Sequence, residues 1–197
     1  MSKDWLFPSR VQNLLGRLWE ESTSEEDKEY LSTAMDALDF ISQSGQFHDF
    51  EAYRESIKDD APPLVIATFD TKERAEAWLK SHPNPPGGAK VLIDGEYHHV
   101  FCDDALKHRH LPRGRSLEYY LREMIDGGLP PPLATFDTLE EAKTWVDSQP
   151  EPPRQVIITI AGEPHLVAYH YKVGLRAIYP LSRAAPPGSI NYTVEPE

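Results

Sequence analysis

Residues 67–101 and 134–168 are two copies of one sequence, offset by 67 residues without a gap. The first reads ATFDTKERAEAWLKSHPNPPGGAKVLIDGEYHHVF and the second ATFDTLEEAKTWVDSQPEPPRQVIITIAGEPHLVA, with 17 identities in 35 positions. Chance does not produce such a run, so the chain must fold one unit twice. Two copies are too few for a solenoid. A paired, pseudo-symmetric arrangement fits better.

The repeat predicts a β-α-β-β unit. Leu64–Phe69 is a strand candidate. Asp70 with Glu73, and Asp137 with Glu140, have capping-box spacing, with Asp in the usual Ser/Thr place. Ala75, Trp78 and Leu79 form a short helical stripe, repeated by Ala142, Trp145 and Val146. The Pro-x-Pro-Pro stretches at 83–86 and 150–153 end each helix. A hairpin follows, turning at Asp94-Gly95 and at Ala161-Gly162. A further strand is expected at Leu175–Leu181, with a weaker counterpart around Leu106–Leu111. Leu117, Tyr120, Leu121, Met124 and Ile125 mark a helix joining the copies.

A helical region precedes the repeat. Val11, Leu14, Leu15 and Leu18 have helical spacing, as do Leu31, Ala34, Met35, Leu38 and Ile41. Ser24 is a candidate N-cap, placing Glu25, Glu26 and Asp27 where the helix dipole favours negative charge, and Gly45 is a plausible stop. Phe47, Phe50, Tyr53 and Ile57 suggest a third, shorter helix. The fold class is therefore α+β. Its expected parts are an acidic helical region (1–60), a first repeat (61–112), a connecting helix and Pro-rich linker (113–132), a second repeat (133–181) and a tail (182–197).

Charge narrows the function. The net charge is −12, and residues 1–60 hold 6 Lys/Arg against 14 Asp/Glu. Nucleic-acid binding requires a basic surface that displaces counterions, and an anionic membrane makes the same demand. Neither partner is expected. The acidic residues near the predicted N-terminal helices, Glu20, Glu21, Glu25, Glu26, Asp27 and Glu29, with Asp59 and Asp60, are either a solvated face or a docking surface for a basic partner.

The duplicated residues have structural readings beside the functional ones. Trp78 and Trp145 read as core anchors. A two-residue turn pairs His98 with Val91 and His165 with Ile158, on apolar faces. Such histidines pack and hydrogen-bond; alternatively they line a shared ligand or metal pocket. His98, His99, His108 and His110 cluster loosely with Cys102, Asp103 and Asp104, in no zinc-ligand spacing. No metal or cofactor is expected. Asp103 and Asp104 raise the pKa of a neighbouring thiol, which argues against Cys102 as a nucleophile. The chain carries no Gly-rich phosphate loop, nucleophile elbow or paired-Cys motif, and a non-enzymatic role is expected. One cysteine and no apolar run of signal or membrane length lead to the expectation of a cytoplasmic protein, monomeric or dimeric.

At the ATFDT…A..W…P.PP…GE.H run, and at LLGRLWEESTSEEDKEYL…ALDFISQSG, the chain resembles a family of paralogous bacterial proteins labelled "head protein", of phage-like origin. The resemblance spans about residues 8–182. Members are encoded beside toxin lipoproteins of polymorphic toxin systems. The resemblance implies an immunity protein that binds and neutralises a cognate toxin, and it carries no functional residues over. The alternatives are a phage-derived assembly protein and a small-ligand or metal sensor using His98 and His165.

Overall fold

The computed structural model describes residues 7–58, 62–103, 108–150 and 153–189. The chain divides into two compact units, Met1–Glu55 and Ser56–Glu197. The division falls a few residues before the compositional boundary at residue 60. The protein is mixed α+β. No described helix is long and apolar enough to cross a membrane.

The N-terminal unit is helical. Helix α1 (Phe7–Glu21) and helix α2 (Glu25–Gln43) form a hairpin, and helix α3 (Phe47–Lys58) crosses the unit boundary. Gln12 on α1 donates to Asp39 on α2. Ser24 caps α2, accepting the Asp27 N–H at 3.2 Å. Gly45 follows α2 in the left-handed conformation, with φ +74°. The α2 stripe from Leu31 to Ile41 is half-buried, and α2 has no fully buried residue. On α1, Val11 and Leu15 are half-buried but Leu14 and Leu18 remain exposed.

In the second unit each copy forms a strand, a helix and two further strands. The first copy is β1 (Ala67–Phe69), α4 (Lys72–Ser81), β2 (Lys90–Ile93) and β3 (Glu96–His99). It continues into β4 (Phe101–Asp103) and β5 (His108–His110). After α5 (Ser116–Gly127) come β6 (Thr135–Phe136), α6 (Leu139–Ser148), β7 (Gln155–Ile160), β8 (Glu163–His170) and β9 (Leu175–Pro180). The sheets have the orders β1-β2-β3, β4-β5 and β6-β7-β8-β9. The first strand of each copy runs parallel to its neighbour and the remaining pairs are antiparallel.

The 67-residue register continues past the stretch of sequence identity. Phe101, Cys102 and Asp103 pair with His110, Arg109 and His108, just as Ala168, Tyr169 and His170 pair with Ala177, Arg176 and Leu175. The His98–Arg113 bridge likewise matches His165–Pro180. The broken path β3–β4 thus corresponds to the single strand β8, and residues 108–113 correspond to β9.

The strand candidate at 64–69 is shorter than expected. Ile66 N–H already bonds Lys90 O at 3.0 Å, but the ladder begins at Ala67. Helix capping also differs from the expected Asp–Glu pairs. The N-caps are Thr71 and Thr138, one residue later, both extended, with side chains accepting from Arg74 N–H and Glu141 N–H. Threonine holds the position because its backbone is the first to leave the helix. Glu141, not Glu140, closes a capping box with Thr138. The first copy has Arg74 at the corresponding place, and Asp70 pairs with that arginine at 2.6 Å.

Each helix covers one face of its own sheet. Ala75 and Leu79 pack with Val91, Ile93, Val100 and Leu111, whereas Ala142 and Val146 pack with Ile158, Ile160 and Val167. The opposite faces share one core. Leu92 and Tyr97 meet Ile157, Leu166 and Tyr179 there, together with Leu117 and Leu121 of α5. Truncating a fully buried leucine here, such as Leu166, costs about 2–5 kcal/mol. Residues 181–185, which follow β9, pack back on the second unit. Leu181–Arg183 form a short 3-10 turn, and Arg183 meets Glu96 at 2.6 Å. Ala185 N–H then bonds Glu118 O, and Arg122 bonds Ala185 O.

Candidate functional site

The six described acidic candidates converge on the turn between α1 and α2. Ser22 N–H still bonds Leu18 O, ending α1, and Ser24 N–H bonds the Ser22 hydroxyl at 3.2 Å. This tight Ser22-Thr23-Ser24 connection puts Glu20 and Glu21 next to Glu25, Glu26, Asp27 and Glu29. All six are exposed. Asp59 and Asp60 lie outside the described residues.

The two groups of carboxylates have different local energetics. Glu25, Glu26 and Asp27 occupy the first turn of α2, where the dipole favours them. They need no partner to explain them. Glu20 and Glu21 close α1, whose last turn holds no basic residue, so they face the negative end of the dipole. That placement is unfavourable for the isolated hairpin.

Large apolar side chains stand among these charges. Leu18 is 43% exposed, Trp19 42% and Tyr30 63%. Lys28 lies 5.4 Å over the Trp19 ring and pairs with Glu25 at 3.2 Å. The Tyr30 hydroxyl donates to Glu26 at 2.6 Å, and that bond raises the phenol's pKa. Leu18, Glu21, Asp27, Tyr30 and Leu31 line an open recess of about 480 Å³. The surface thus offers apolar anchors ringed by carboxylates.

His98 and His165 occupy the strand positions expected of them, opposite Val91 and Ile158. Those partners belong to the separate clusters beneath α4 and α6, on the faces turned away from the shared core. The register therefore does not bring the two rings into one pocket. His98 Nδ1 is 2.9 Å from Leu111 O, and His165 Nδ1 is 2.9 Å from Glu163 O. His99 Nε2 approaches the Ser116 hydroxyl at 3.3 Å, and burial lowers its pKa. The His108 and His110 rings meet tilted, with centroids 4.7 Å apart. Among the described residues no group of three metal-ligating side chains converges.

The structure adds features that residue patterns did not single out. Arg109 donates to His82 O and Pro83 O beyond the end of α4. Arg176 donates to Val146, Asp147 and Gln149 carbonyls at the end of α6. Both arginines keep the 67-residue offset, which is the signal that could have found them. A recess of about 580 Å³ opens where the end of α5 meets β7.

No family model, no curated protein and no solved structure matches the chain.

Proposed function

We propose that this chain is a non-enzymatic binding protein that captures a basic protein partner through the acidic α1–α2 turn. The observation that carries this reading is the seating of Glu20 and Glu21 at the dipole-negative end of α1, beside exposed Leu18, Trp19 and Tyr30. Buried aromatics dominate interface energetics, and one-signed charge accelerates encounter. The resemblance to toxin-associated bacterial proteins supplies the biological setting. In this proposal the partner is a cognate toxin, and the protein neutralises it in the cytoplasm. A toxin that itself binds nucleic acid has a phosphate-binding surface that such an inhibitor occupies.

The test is titration of the purified protein with the product of the adjacent gene. A 1:1 complex is expected, with an association rate that falls steeply as salt rises. Absence of a complex, or assembly of the protein alone into large particles, rejects the reading.

A further inference from the structure

The two copies diverge in what they place on the ribbon β4–β5. With the 67-residue offset, Phe101, Asp103, His108 and His110 correspond to Ala168, His170, Leu175 and Ala177. In the second copy these positions serve the interior. Ala168 and His170 are buried, and Leu175 and Ala177 pack against the shared core. In the first copy the same strand face carries two imidazoles and a carboxylate, with His108 exposed and Phe101 46% exposed. The fold does not require imidazole there, because the second copy makes the equivalent strand pairs with Leu175 and Ala177.

Strand alternation brings the two rings together. His108 and His110 are two apart on β5, so their side chains leave the same face. Their ring centroids are 4.7 Å apart and the planes are inclined at 44°. Phe101 is the ladder partner of His110 and lies against its ring at 4.6 Å; Asp103 is the ladder partner of His108. A zinc–imidazole bond of about 2.0–2.1 Å puts the ring centre about 3.2 Å from the metal, so rings at adjacent coordination positions stand about 4.5–5.2 Å apart. The observed separation falls in that range. His110 Nδ1 is buried with no hydrogen-bond partner among the described residues, whereas the rings of His98, His99 and His165 each have one. Half a turn of the ring exchanges its nitrogens, so either can be the ligand.

We propose that His108 and His110 chelate a divalent transition-metal ion of the class that imidazole favours, zinc, nickel or copper, with water completing its coordination. Among the described residues two ligands meet here rather than three, so the site is open and the ion exchangeable. Asp103 adds negative charge beside the rings, and the net charge of −12 favours cations generally. Magnesium and calcium take oxygen ligands and do not suit the pair. The site belongs to the second unit and does not depend on the function proposed for the α1–α2 turn.

The full-length protein, labelled for NMR, is titrated with zinc chloride alone in a non-coordinating buffer near neutral pH. One equivalent should shift the ring resonances of His108 and His110, and magnesium chloride should shift neither. His108→Gln and His110→Gln should each weaken zinc binding by at least the tenfold or so that loss of a ligand's supporting partner costs. His108 is exposed, so its variant keeps the fold even if the His110 variant does not. His165→Gln and the pair Glu20→Lys with Glu21→Lys should leave the isotherm unchanged, which separates this site from the duplicated histidines and from the acidic turn. Zinc shifts confined to other histidines, affinity unchanged in His108→Gln, or no binding at millimolar zinc would each overturn the proposal.

Discussion

Ala161 sits at the first position of the β7–β8 turn with φ +49°, followed by Gly162 at +82°. The matching turn has Asp94 at +50° and Gly95 at +73°. Both are two-residue turns that need left-handed backbone twice, which alanine tolerates poorly. Ala161→Asn should therefore raise stability by about 1 kcal/mol, read by urea denaturation. His170 is the other residue with a clear cost. It is 3% exposed, with its Nε2 3.2 Å from the Tyr179 hydroxyl and its ring 5.8 Å from that of Tyr97. Burial lowers its pKa to about 4, whereas the unfolded chain restores the ordinary value near 6.5. The unfolded state thus binds the proton more readily. Stability from this group is complete above pH 6.5 and declines as pH falls toward 4, by about 3 kcal/mol in all. Denaturant midpoints measured from pH 7 to 4 should show this slope in the wild type and lose it in His170→Phe. Equal slopes in both proteins would contradict the assignment.

At the scale of elements, the repeat dictates most of what forms. The helical stripes, both hairpin registers, the Ser24 cap and the connecting helix are readable because each rests on a local pattern of three to five residues. The capping threonines were less accessible, since Asp70 and Thr71 are both competent caps and only backbone geometry chooses between them. The fourth strand of the first copy was legible only faintly. Identity fades after residue 101, whereas pairing register persists to Arg113. Helix α3 obeys the same offset: Phe50, Glu51, Tyr53 and Ile57 align with Leu117, Glu118, Tyr120 and Met124 of α5. The arginines at 109 and 176 show why register outlasts identity. Each satisfies carbonyls at its repeat helix's C-terminal end, a task fixed by geometry and met by one side chain. Arg176→Ala should cost about 2 kcal/mol, with Arg176→Lys recovering only part, because lysine lacks the forked donor. Arg109→Ala, with two bonds rather than three, should cost less; thermal unfolding of the three variants checks the order.

For the whole molecule, the two copies form a scaffold, and the residues proposed to bind a partner lie outside the shared motif. Trp78 and Trp145 pack on Phe69 and Phe136 at 5.5 and 5.6 Å, which gives them structural work. The duplicated histidines, His98 and His165, are held by backbone carbonyls on separate faces. The acidic residues were visible in the sequence, but their gathering at one turn required the hairpin, and the exposure of Leu18 runs against its helical stripe. The proposed role of this turn is the capture of a basic protein. The most direct measurement is calorimetric titration of the neighbouring gene's product into wild-type protein and into Trp19→Ala and Glu20→Lys/Glu21→Lys variants, each verified as folded by circular dichroism. A 1:1 wild-type complex is expected, about 30-fold weakened by Trp19→Ala and weakened further by the charge reversal. A complex whose affinity is unchanged in both variants would contradict it.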